Sequence, residues 1–207
     1  MPIADVLAKF RTKIGQCDSL IKNSHQQDNF GSNILPALDR EQITVAAFLN
    51  MFIAWESFLE SALAEFMLGG LTLSGSTPKR YVLPTTLDHA NKLVIHTSRF
   101  FDYANHNFFS KAVSLYFEDG YAFEPHFGSI MTDLSDLRTM RNGSAHISST
   151  TQVALEALAF RIFSGPKRGV TLYQMLTAFD PRLGVGETVF SGFKDKILIA
   201  AELIAKG

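Results

Sequence analysis

The stretch that most constrains this chain is DREQITVAAFLNMFIAWESFLESALAEFML, residues 39–68, closed by Gly69 and Gly70. Ile43, Ala47, Phe48, Phe52, Trp55, Leu59, Ala62, Leu63 and Phe66 recur at helical spacing, with few charges before Glu56. A helix that is apolar over much of its circumference must lie at the centre of whatever it joins. At 1.5 Å per residue it would extend on the order of 43 Å. Asp39, with Gln42 three residues on, is expected to open it as a capping box, and the two glycines to end it.

Weaker patterns surround this helix. Val6, Leu7, Phe10, Ile14, Cys17 and Ile21 fall three, four or seven apart, which predicts a first helix over 3–21. A polar connector follows, NSHQQDNFGSN, and Pro36 stops any continuation. Thr86 is expected to cap a short helix to about His96, and Ser110 to Phe117 a further turn or two, while RFFDYANHNFF resists assignment. After Pro125 and Gly128 a fourth principal helix carries Ile130, Leu134, Leu137 and either Met140 or Arg141 on successive turns and ends between Gly143 and His146. Thr150 or Thr151 restarts a helix bearing Val153, Leu155, Leu158, Phe160 and Ile162, which breaks at Gly165 and Pro166. A short piece over 171–179 precedes a closing helix over 187–206, with Val189, Phe193, Ile197, Ile199, Ala200, Leu203 and Ile204 on it. No strand pattern and no repeat is visible. The expected fold class is all-α, a single-domain helical bundle over 1–207 with additional N- and C-terminal helices.

Composition narrows the function. The 207 residues are 46% hydrophobic and 19% charged, enough for one ample core, and 18 phenylalanines carry much of the burial. The formal net charge of -1 gives no long-range attraction for a polyanion, so nucleic acid would have to be held by a local cluster. Three basic spots offer themselves: Lys79 with Arg80, Arg138 with Arg141, and Lys167 with Arg168; the first and third read as ordinary surface pairs. Cys17 is the only cysteine, which excludes an intrachain disulfide and a thiolate metal cage and fits a reducing compartment. His25, His89, His96, His106, His126 and His146 are scattered, without metal-ligand spacing, and no metal or cofactor is expected. MPIADVLAKF does not resemble a leader, and no stretch reaches the roughly 18 apolar residues of a membrane span. A cytoplasmic protein without membrane contact is the expectation.

One segment combines groups able to do chemistry. LRTMRNGSAHIS places Arg141 five residues before His146, with the polar Asn142 directly after the arginine. On an unbroken helix the two side chains would diverge by roughly 140°. Gly143 and Ser144 are expected to loosen the last turn and bring both to one surface. Arginine holds phosphate bidentately and stays charged, and histidine moves protons near neutral pH, a pairing suited to phosphodiester cleavage. Spacing by itself is not specific, and Arg99 with His106 is a second match, but Phe100 stands where a polar residue is required. A purely structural role is the competing reading: Arg141 pairs with Asp133, Asp136 or a glutamate of the long helix, and His146 caps the helix C-terminus. Trp55 reads as core, and Glu56 with Glu60 as an exposed helix face before a carboxylate pair.

RNGSAH, with Arg141, Asn142 and His146 at the end of a core helix, resembles the R-x4-H signature of the HEPN superfamily. The upstream AWESFLESAL, with Trp55, Glu56, Phe58, Leu59 and Glu60, is similar to the aromatic and acidic helix of many members, including the RiboL-PSP-HEPN type. The likeness covers roughly residues 39–163. It implies a HEPN-like bundle and a metal-independent endoribonuclease acting as a homodimer with a composite active site, in a toxin, antiviral-defence or stress-response setting. An antitoxin or sensor protein is an implied partner. Under the resemblance His146 would move the proton of the ribose 2'-hydroxyl or of the leaving 5'-oxygen, and Arg141 would hold the scissile phosphate. Asn142 would orient one of them, Ser144 and Arg138 would contact the substrate, and the product would be a 2',3'-cyclic phosphate. Members silenced by nucleotidylation carry a tyrosine two residues after the histidine; Ser148 stands there, which disfavours that route. From another class comes a noncatalytic helical interaction module, whose second and closing helices bury a partner surface. Nucleotide binding without hydrolysis lacks a glycine-rich phosphate loop.

Overall fold

A computed structural model describes the chain from Met1 to Gly207 except residues 97–99 and 146–147, with Ala145 described in its backbone alone. The fold is all-α, with 68% of residues helical and no strand among those described. Among the described residues eight α-helices follow in order: α1 Ile3–Ser24, α2 Ala37–Met67, α3 Leu87–Ile95, α4 His106–Tyr116, α5 Glu124–Ala145, α6 Ser149–Phe163, α7 Leu172–Thr177 and α8 Val189–Lys206. A 3-10 turn, Glu118–Gly120, separates α4 from α5.

Helix α2 opens two residues earlier than the sequence suggests. The Arg40 amide donates to the Pro36 carbonyl at 3.1 Å, so proline, which needs no N–H at a helix entrance, starts the helix. Asp39 consequently lies inside the first turn, where its charge suits the helix dipole, and is not the cap. By length and composition α2 could cross a membrane, a property the residue pattern did not suggest, and half of its most apolar window is buried in the fold. At the far end Arg80 closes it: one guanidinium nitrogen donates to the Met67 carbonyl at 2.8 Å, satisfying an acceptor that the last turn leaves open.

The shorter helices are fixed by their caps. The Thr86 hydroxyl accepts from the His89 amide, as expected, and Asn105 does the same for Phe108, so α4 begins four residues before Ser110. Ser148 and Thr151 form a capping box at α6, and Thr171 and Gln174 another at α7. Helix α5 runs from Glu124 straight through Pro125 and Gly128, because a proline in the first turn removes only an amide that has no partner there.

The chain divides into two compact units. The first comprises Met1–Arg11, Trp55–Ser135 and Lys196–Gly207. Its core is aromatic: Trp55 packs with Phe10 and Phe58, and Phe109 sits 5.3 Å from Phe123 and 5.2 Å from Phe127, ring centre to ring centre. Of the aromatic segment that resisted assignment, Phe101 and Phe109 go to the interior, where their apolar area is most stabilising, while Phe100 and Phe108 stay exposed. Lys196 pairs with Asp133 at 2.7 Å, and the Leu73 amide donates to the Ala205 carbonyl at 2.8 Å, holding the part of α8 from Lys196 onward within this unit.

The second unit comprises Thr12–Ala54 and Asp136–Asp195. Phe48, Met51 and Phe52 of α2, Leu137 and Met140 of α5, and Leu155, Leu158 and Ile162 of α6 are all buried. Two side chains expected on the buried face of α6 are not there: Val153 is 65% and Phe160 56% exposed. They lie seven apart on the side opposite Leu155 and Ile162, so apolarity alone misassigned them. In the other unit Ile199 and Leu203 of α8 likewise face outward. Asp180, almost fully buried, accepts from Arg182 Nε at 2.8 Å and Nη2 at 2.6 Å.

Candidate active site at the end of α5

Arg138, Arg141, Asn142 and Ser144 all stand on the last turns of α5, in the second unit, and all four are half-buried. His146 lies outside the described residues. The helix ends at Ala145, within the expected bounds, but it stays regular through Gly143 and Ser144, which corrects the expectation of a loosened turn there. A glycine inside a helix costs on the order of 1 kcal/mol, too little to unwind a turn whose neighbours hold it. Ser144 joins the helix actively, its hydroxyl donating to the Arg141 carbonyl at 2.7 Å.

A regular helix here has a geometric result. Residues three apart lie on one face, about 5–6 Å between Cβ atoms, so Arg138, Arg141 and Ser144 form a single row. Arg141 is oriented from two sides. Its Nη1 donates to Asn142 Oδ1 at 3.2 Å, and the guanidinium carbon stands 5.9 Å from the centre of the Phe52 ring on α2. Both contacts are uncharged, and they steer the group without neutralising it.

The acidic partners of the competing structural reading are engaged elsewhere. Asp133 binds Lys196, and the buried Asp136 binds Arg161 of α6 in a close ion pair. Among the described residues no carboxylate lies within ion-pair distance of Arg141. The other basic spots differ. Lys79 pairs with Glu118 at 2.7 Å and Arg80 caps α2, so the first is structural. Lys167 rests over the Phe163 ring at 5.6 Å, beside an exposed Arg168. Of the second R-x-H pair, Arg99 lies outside the described residues, and His106 is buried at the start of α4. Trp55 is 2% exposed, a core residue and no stacking platform. Among the described residues no three His, Cys, Asp or Glu side chains converge as metal ligands.

Gly143 and Ser144 also form one wall of a cleft of roughly 300 Å³. Glu41 and Val45 of α2, Thr151, Gln152 and Leu155 of α6, and Thr171, Leu172 and Tyr173 at the start of α7 contribute the rest of its surface. Tyr173 is fixed by His25: the phenol oxygen and the imidazole Nε2 are 3.2 Å apart, and the rings stack at 6.0 Å and 16°. The imidazole's Nδ1 lies 3.0 Å from the Ile21 carbonyl, which anchors the histidine in turn. Neither Glu41 nor Tyr173 was legible as a site residue. They stand more than a hundred positions apart, and Glu41 by itself looks like an ordinary first-turn acid.

No family model, curated protein or solved structure matches this chain.

Proposed function

We propose that this protein is a HEPN-type endoribonuclease that cleaves RNA without a metal ion, through attack of the ribose 2'-hydroxyl on the adjacent phosphate. The observation that carries the reading is Arg141: a half-buried guanidinium held by Asn142 and Phe52, with no carboxylate partner among the described residues. A cation kept oriented and unneutralised at the end of a core helix is suited to an incoming anion. Its neighbours in sequence complete the RNGSAH signature.

In the proposed reaction His146 takes the proton of the 2'-hydroxyl as O2' forms its bond to phosphorus. The bond to the 5'-oxygen breaks, that oxygen receives a proton, and a 2',3'-cyclic phosphate remains. A homodimer would supply a second imidazole, so that one acts as base and the other as acid. Arg141 stabilises the charge that builds on the phosphoryl oxygens. Arg138, one turn before Arg141, holds a flanking phosphate, and Ser144 contacts the substrate. The setting is a toxin, antiviral-defence or stress-response system in the cytoplasm, with an antitoxin or sensor protein as regulator.

The test is cleavage of single-stranded RNA in the presence of a chelator by the wild-type chain, His146→Ala and Arg141→Ala, with oligomeric state and Tm followed in parallel. Loss of cyclic-phosphate product in both variants, with unchanged Tm, supports the nuclease. Undiminished cleavage in His146→Ala overturns it.

A second reading, a noncatalytic helical interaction module, draws on the exposed pairs Val153 with Phe160 on α6 and Ile199 with Leu203 on α8. It predicts no cleavage by the wild-type chain and a partner lost on Phe160→Asp or Leu203→Asp.

A further inference from the structure

The cleft beside Ser144 has a composition that a nonspecific phosphate groove would not need. Its lining joins the apolar Val45, Leu155 and Leu172 and the tethered ring of Tyr173 to one carboxylate, while the side chains of Thr151, Gln152 and Thr171 are engaged in helix caps and in bonds to Glu156 and the Val170 carbonyl. Glu41 has no cation or hydrogen-bond donor on its carboxylate among the described residues. A carboxylate beside a helix that presents Arg138 and Arg141 repels phosphate, so the cleft is built for a different part of the ligand. At roughly 300 Å³ it lies at the small end of ligand sites, about 300–1,000 Å³, a size that suits one planar ring system.

We infer that this cleft is a guanine-recognition pocket, in which Glu41 accepts hydrogen bonds from the N1–H and N2 amino group of an unstacked guanine base while Tyr173 supplies the stacking surface. Among the four RNA bases guanine alone presents two adjacent donors on its pairing edge, matching the two oxygens of a carboxylate. Adenine and cytosine present a donor beside an acceptor, and uracil a donor between two carbonyls, so each would set a lone pair against the negative charge. Stacking on an aromatic side chain tolerates any base, and the discrimination therefore comes from Glu41. His25 gives the pocket its rigidity, holding Tyr173 by ring and hydroxyl before any ligand arrives.

The pocket also stands at the right place for a nuclease. Ser144 belongs to both the cleft wall and the α5 row, one turn from Arg141. A base seated in the cleft sets its own phosphate beside that row. The consequence for cleavage, a preference for sites next to guanine, rests on the nuclease reading; the binding of the base does not.

Equilibrium binding of nucleosides to the intact chain separates the two, because guanosine carries no phosphodiester and reads the pocket irrespective of chemistry. Guanosine should bind, inosine, which lacks the N2 amino group, about tenfold more weakly, and adenosine more weakly still. Glu41→Gln, a nearly isosteric change at a half-exposed position, should weaken guanosine binding by about 10- to 100-fold and abolish the preference over adenosine. Tyr173→Leu should weaken both nucleosides by about 5- to 150-fold. Guanosine bound no more tightly than adenosine, or bound equally by Glu41→Gln, overturns the pocket. Guanosine binding as described in a chain that never cuts RNA overturns the nuclease and leaves the pocket standing.

Discussion

Phe109 offers the sharpest test of how the aromatic segment is used. Its ring is fully buried in the first unit, with Phe123 at 5.3 Å in an edge-on arrangement and Phe127 at 5.2 Å nearly parallel. Truncation of a buried phenylalanine to alanine costs about 3–5 kcal/mol, the transfer of the ring plus the cavity it leaves. Two close aromatic neighbours, each contributing about 0.5–1.5 kcal/mol beyond area, place Phe109→Ala toward the upper end. Phe109→Leu keeps most of the volume and forfeits mainly the ring-on-ring contribution, about 1–2 kcal/mol. Phe100, 74% exposed in the same aromatic run, is the control, and its alanine variant should stay within about 0.5 kcal/mol of wild type. Equilibrium urea unfolding, read as midpoint shifts at constant slope, measures all three. Equal losses for Phe109→Ala and Phe109→Leu, or a Phe109→Ala chain as stable as wild type, would refute the argument that these rings form a close-packed core.

Under the proposed nuclease reading, Asn142→Ala should slow RNA cleavage about fivefold by releasing Arg141, and should cost nothing further in an Arg141→Ala background; an undiminished effect there would mean that Asn142 acts by another route. Asp18 is held below the usual aspartate value of 3.8: burial, the largest single influence, pushes it up, but hydrogen bonds and charge from Lys22 and Lys194 together outweigh it. A carboxyl depressed in the folded state contributes stability that is present above pH 3.8 and lost as pH falls through the folded value. Asp18→Asn should accordingly show a shallower loss of stability below about pH 4 in urea titrations. His126 has a pKa lowered by burial, so its contribution is complete above pH 6.5 and declines as the pH drops; replacing it with phenylalanine should flatten the stability profile below that pH. Finally, one substitution should act with opposite signs at two glycines. Gly69→Ala, at φ +92° and with its new methyl 2.8 Å from the Arg80 guanidinium, should lower Tm by several degrees, and Gly15→Ala, in open space on α1, should raise it slightly.

Much of the helical order follows from periodicity and caps alone. The spacing of Phe48, Phe52, Trp55, Leu59 and Phe66 makes α2 a buried helix whatever surrounds it, and Thr86 starts α3 because a hydroxyl can accept from an amide three residues on. Such signals are local, involving residues within one or two turns, and a sequence displays them directly. Other features depended on contacts between distant segments. Val153 and Phe160 turn outward, and Asp133 and Asp136 go to Lys196 and Arg161, leaving Arg141 to Asn142 and Phe52. The RNGSAH segment could be picked out by residue type and spacing, whereas Glu41 and Tyr173 acquire meaning only where α2 and α7 line the same cleft. A guanidinium's chemistry belongs to the residue, but whether its charge is neutralised is decided by which side chains the packing leaves beside it. Local propensity therefore specified the helices, and tertiary packing selected the partners that make a site.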